Sequence, residues 1–129
     1  MFNKFTHVPL FVNDQDEALN FYRDKVGLKV HTDAQMEGMR WLTLSAPTQP
    51  DFELVLMPAT TPETKALVGK QAPGSPFVCV ESSDVARDID ELRAKGVKIV
   101  QEPQVEPWGT SAMFVDLYGN MIYIVQPPR

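Results

Sequence analysis

The chain has 129 residues, a 43% hydrophobic content and a formal net charge of -5, from 12 basic and 17 acidic side chains. That length fits one globular domain, or two small modules sharing a core. The acidic balance argues against nucleic acid as the main partner, because phosphate binding calls for a basic face. No run approaches the roughly 20 apolar residues that cross a bilayer, and the N-terminal residues lack the apolar core of a signal peptide. A single cysteine, Cys79, leaves no intrachain disulfide, so a reducing cytoplasm is the expected location. Its place in an apolar strand pattern reads as a small buried hydrophobe.

In chain order, Phe5 to Val12 alternates as a strand, with Val8, Leu10 and Val12 on one face and His7, Pro9 and Phe11 on the other. Pro9 cannot donate to a ladder, so this strand is at an edge or has its N–H side free there. Asn13 to Asp16 offers helix caps, and Ala18, Leu19, Phe21, Tyr22 and Val26 follow at helical spacing until Gly27. Leu28–Thr32, Arg40–Leu44 and Phe52–Met57 read as three more strands, with a polar connection over residues 33–38. The first module, residues 1–58, is therefore βαβββ. Residues 59–75 are rich in Pro and Gly and read as a connector, with a helical turn or two over Glu63–Val68. Residues 76–129 repeat the order. Phe77–Ser82 is a strand, Val85 to Ala94 a helix ended by Gly96, and Val97–Val100, Ala112–Val115 and Met121–Gln126 are strands. A loop holding Pro103, Pro107, Trp108 and Gly109 separates two of them.

The two modules match at an offset of seventy residues: His7 with Phe77, Asp14 with Asp84, Glu53 with Tyr123, Val55 with Val125. A fixed offset is the mark of an internal repeat. Gly119-Asn120 supplies turn chemistry before the last strand, since both residue types tolerate positive φ. Neither module can bury both faces of its sheet. The expected architecture is a single α+β domain in which two βαβββ modules form a curved mixed sheet around a cleft.

The segments His7-Val8-Pro9-Leu10-Phe11-Val12-Asn13-Asp14, Ala18-Leu19-Asn20-Phe21-Tyr22 and Gly27-Leu28 resemble the opening of the vicinal oxygen chelate superfamily. That group contains glyoxalase I, the bleomycin-resistance and fosfomycin-resistance proteins and the extradiol dioxygenases. Pro107-Trp108-Gly109, Asp116 and Gly119-Asn120 resemble its closing segment. The resemblance covers nearly the whole chain. It implies paired βαβββ modules, usually in homodimers, around a cavity that often holds a divalent metal. Carried over to this chain, the metal positions are His7, Glu53, Phe77 and Tyr123. His7 and Glu53 are competent donors. Phe77 cannot ligate, and a neutral Tyr123 is a poor ligand with its ordinary pKa near 10. A catalytic zinc site takes about three protein ligands, and Glu81, four residues along the strand from Phe77, is a distant third.

Three readings follow. The first is a protein that binds a small organic molecule in a cavity with an incomplete metal site and needs no cofactor. Phe11, Trp41, Met57, Phe77, Glu81, Trp108 and Met113 would line that cavity, with Trp108 near its mouth. The second is a metal-dependent lyase or dioxygenase using His7, Glu53 and a third ligand. The third is a metal-free acid–base enzyme in which His7, Glu53 and Tyr123 carry the chemistry. His31 and Asp33 read as ordinary surface residues.

Overall fold

The computed structural model describes residues 1–128. The chain divides into two compact units, Met1–Val68 and Gly69–Arg129.

The first unit runs β1 (His7–Val12), α1 (Gln15–Asn20, prolonged by a wider π-type turn over Phe21–Lys25), β2 (Lys29–Met36), β3 (Met39–Ser45), β4 (Glu53–Pro58) and α2 (Pro62–Leu67). Asp14 caps α1 by accepting from the Glu17 amide at 2.9 Å. In the π-type turn the Val26 amide reaches back to the Phe21 carbonyl at 3.2 Å, and Gly27 leaves the helix at φ 89°. The sheet order is β1-β4-β3-β2, with β1 parallel to β4 and the other pairs antiparallel. β1 lies at an edge, one of the two arrangements that Pro9 allows. Leu10, Val12, Leu42, Leu44 and Leu56 fill one face of this sheet, and Ala18, Leu19, Phe21 and Tyr22 are the buried residues of the helix. Each of these Leu, Val and Phe side chains withdrawn from water contributes roughly 1.5–3 kcal/mol.

The polar connection expected at residues 33–38 is a β-hairpin instead. β2 continues to Met36 and turns at Glu37 (φ 52°) and Gly38 (φ 79°). Two successive positive φ values match the twist of paired strands. Arg40 anchors the hairpin. Its guanidinium donates to both carboxylate oxygens of Asp33 at 2.9 Å and to Asp16 Oδ1 on α1 at 2.7 Å. α2 is capped by Thr61 and Thr64, each accepting from the other's amide at 3.1 Å, with Pro62 in its first turn.

The second unit runs β5 (Pro76–Glu81), α3 (Val85–Ala94), β6 (Ile99–Glu106), β7 (Gly109–Val115) and β8 (Met121–Gln126), in sheet order β5-β8-β7-β6. Val85, Ile89 and Leu92 on α3 are buried, as are Ala112, Phe114, Ile122 and Ile124 on the sheet. β6 is longer than the sequence indicates and includes Pro103. It is an edge strand, and its register slips between Gln101 and Gln104, so the missing N–H is accommodated there. Cys79 is exposed rather than buried. It lies on edge strand β5, on the face away from α3.

The turn before β8 is held by a side chain as much as by glycine. Asp116 Oδ1 accepts from the Tyr118 and Asn120 amides, and Oδ2 from Asn120 Nδ2, all at 2.9 Å. Gly119 has φ 98°, whereas Asn120 is not at positive φ. Asn120 is there to bond Asp116, and both are buried.

Strand pairing corrects the repeat. Thr43 pairs with Val55 and Leu44 with Leu54; Met113 pairs with Tyr123 and Phe114 with Ile122. Along the last strand the offset is therefore 68, not 70. The β7–β8 connection, residues 116–120, is shorter than the β3–β4 connection, residues 46–52. By register the counterpart of Glu53 is Met121, while Tyr123 corresponds to Val55. No helix among the described residues is long and apolar enough to cross a membrane.

Two predictions follow from this packing. Gly109 sits at φ 139°, where an added Cβ would collide with the backbone carbonyl of Gln126. Gly109→Ala should lower stability to urea by about 1–3 kcal/mol, and an unchanged midpoint would contradict this close approach. The Arg40 guanidinium holds the exposed Asp33 carboxyl below its ordinary range. A lowered carboxylate stabilises the fold above its unfolded pKa and loses that contribution as pH falls through its folded value. An NMR titration should find Asp33 titrating low in the parent chain and returning to about 3.9 in Arg40→Ala.

Candidate functional site

The face of the first sheet opposite its buried leucines carries the polar chemistry. His7 and Glu53 are register partners on parallel strands β1 and β4, so their side chains stand beside each other. His7 Nε2 lies 2.9 Å from Glu53 Oε2. Thr43 on β3, fully buried, donates its hydroxyl to Glu53 Oε1 at 2.7 Å. The third partner is His31, whose Nδ1 lies 3.0 Å from the same Oε1.

His31 is the residue that sequence reasoning missed. In β2, Val30 pairs with Leu44 and Thr32 with Thr43, leaving His31 as the extra residue of a bulge. A bulge adds one residue to one strand and re-aims its side chain. Alternation counted back from Thr32, which pairs with Thr43, therefore gives the wrong face for His31, and no sequence signal marks the bulge.

The proton positions follow from the partners. An ionised carboxylate only accepts, so each imidazole nitrogen facing Glu53 carries a hydrogen. His7 then donates through Nε2, and its Nδ1 meets the Thr6 hydroxyl at 2.8 Å. His31 donates through Nδ1, which also lies 2.8 Å from Thr32 Oγ1. The Glu53 side chain is 14% exposed, and the imidazoles of His7 and His31 are 39% and 37% exposed. The carboxylate is thus sunk in the sheet with three donors around it and two rings at the surface.

His7 and Glu53 are suitable metal donors. Among the described residues, however, no group of three His, Cys, Asp or Glu side chains is arranged to hold a metal ion. Both Glu53 oxygens are already engaged, and the nitrogens facing them bear protons. A divalent cation held by these side chains would take the place of the contacts that Glu53 makes with them.

The other residues singled out from the sequence divide between the units. Phe11, Trp41 and Met57 lie on the first unit's sheet, each partly exposed. The Trp41 and His7 rings are 6.0 Å apart, tilted by 58°. Phe77, Glu81, Trp108, Met113 and Tyr123 belong to the second unit. There Trp108, in the turn after β6 and 47% exposed, lies 6.4 Å from the Tyr123 ring. Phe77 falls where the β5 register slips between Pro76 and Val78, and Glu81 is exposed opposite Val125.

Thr43→Val tests the network, because it keeps the shape and removes one donor from a carboxylate that is mostly buried. The expected loss is about 1–3 kcal/mol in urea denaturation, and it should shrink when Glu53 is already Gln. Equal losses in the two backgrounds would mean that Thr43 and Glu53 are not coupled.

Comparison with known proteins agrees with this architecture. Residues 4–124 match the model of the Glyoxalase/Bleomycin resistance protein/Dioxygenase superfamily. YurT, an uncharacterized protein of Bacillus subtilis (strain 168), is 37% identical over 95% of this chain and 98% of its own. The crystal structure of UcmS2 is similar with a TM-score of 0.85, at 32% identity over 97% of this chain and 98% of that one. TnmS3, an antibiotic binding protein from Streptomyces sp. CB03234, is similar with a TM-score of 0.79, at 32% identity over 98% of both chains. The chain belongs to the glyoxalase/bleomycin resistance protein/dioxygenase superfamily.

Proposed function

We propose that the protein binds a small organic molecule of the antibiotic kind and sequesters it without a metal and without chemical change. The observation that carries this reading is the state of Glu53. In a metal site its oxygens and the His7 Nε2 lone pair would face the ion. Here His7 Nε2 turns a hydrogen to Glu53 instead, and the Thr43 hydroxyl and His31 Nδ1 stand against the other oxygen. Partly exposed Trp41, Phe11 and Met57 on the same sheet face offer apolar and aromatic surface to a ligand, as binding sites commonly do. The likeness to an antibiotic binding protein at 32% identity supports the same reading. The homodimer usual in the family is the expected assembly.

The test is a titration of the purified protein with a panel of antibiotics, bleomycin among them, followed by tryptophan fluorescence. Saturable binding should be unaffected by excess EDTA, and chromatography should recover the compound unaltered. Binding that needs added metal, or conversion of the compound to a product, would contradict the proposal.

A further inference from the structure

The two imidazoles on Glu53 are not equivalent, and their difference points to the one that meets the ligand. His7 has both ring nitrogens engaged, Nε2 with Glu53 and Nδ1 with Thr6. His31 has both of its polar contacts, Glu53 and Thr32, at Nδ1, so its Nε2 is without a partner among the described residues. The carboxylate fixes His31 in the tautomer with hydrogen on Nδ1, which leaves a lone pair on Nε2. The bulge at Val30/Thr32 puts this ring beside Glu53, and its 37% exposure leaves it within reach of solvent and solutes.

We propose that His31 Nε2 is the hydrogen-bond acceptor for the ligand, and that the ligand presents a phenolic hydroxyl on a flat aromatic frame. This rests on the reading that the protein binds a small molecule. The lone pair calls for a donor, since a ligand that only accepts would find none at Nε2, and the hydroxyl is the donor assigned to the ligand. The flat frame follows from Trp41. It lies two residues along β3 from Thr43, the partner of Thr32, a distance of roughly 7 Å at strand rise, which a two-ring aromatic spans. Glu53 and Thr43 are positioning residues: they orient His31 and touch no ligand in this scheme.

Long-range 15N–1H NMR of the free protein reads the tautomers directly. His31 should be in the Nδ1–H form and His7 in the Nε2–H form, and Glu53→Gln should weaken the preference at His31. Calorimetry with 2-naphthol and 2-methoxynaphthalene then compares a hydroxyl donor with its methyl ether. The naphthol should bind about five- to tenfold tighter, the worth of one net hydrogen bond, and the preference should vanish in His31→Phe while persisting in His7→Phe. An Nε2–H tautomer at His31, or a preference that survives His31→Phe, overturns the proposal. Equal binding of both compounds overturns the hydroxyl assignment and leaves small-molecule binding standing. Binding of neither overturns the ligand class, and the tautomer spectrum then judges His31 alone.

Discussion

A carboxylate set into a β-sheet is the constraint around which the first unit is arranged. Removing a carboxylate from water is costly unless its oxygens are hydrogen-bonded. Glu53 meets that requirement with three donors drawn from three other strands: His7 from β1, Thr43 from β3 and His31 from β2. The donors are reached because β1 and β4 run parallel with His7 and Glu53 in register. Displacing β1 by one residue would put Val8 beside Glu53 and turn His7 to the leucine face. Register, charge and hydrogen bonding therefore depend on each other.

The second unit has the same topology without the same chemistry. Its register equivalent of Glu53 is Met121, which pairs with Pro76, and Phe77 falls at the register slip beside it. Its buried carboxylate is Asp116, in the turn before β8 rather than on the sheet, and Phe77, Met113, Met121 and Tyr123 are among its partly exposed side chains. Its strictest constraints are of backbone. One is the Asp116–Asn120 turn, and another is the close approach of Gly69 to the Tyr118 carbonyl, which leaves no room for a Cβ. The two units share one strand order, while the His7–Glu53–Thr43–His31 network belongs to the first.

Most of the framework was legible in the sequence because it rests on period. Alternation in β1 and β4, helical spacing in α1 and α3, and Gly27 and Gly96 as stops each report local geometry. His7 and Glu53 came together through the family resemblance, which implies both as metal positions. What was hidden depends on residues that interrupt the period. The bulge that turns His31 toward Glu53 adds a residue without any compositional mark, so the ring read as surface. The Glu37-Gly38 turn lacks the Asn-Gly or Asp-Gly signature of tight hairpins, so β2 read too short. The shorter β7–β8 connection broke the offset of seventy, so Tyr123 was matched with Glu53. Asn120 read as a residue of permissive φ, whereas its side chain is what the turn uses.

The central claim is that Glu53 is satisfied by protein donors rather than by a cation. Elemental analysis tests it most directly, on native protein purified without chelator and without a metal-binding tag. The account predicts Fe, Mn, Ni and Zn each far below one per chain, with no difference between the parent chain and His7→Ala. Close to one equivalent of a single metal, lost in His7→Ala, would contradict it and make His7 and Glu53 ligands.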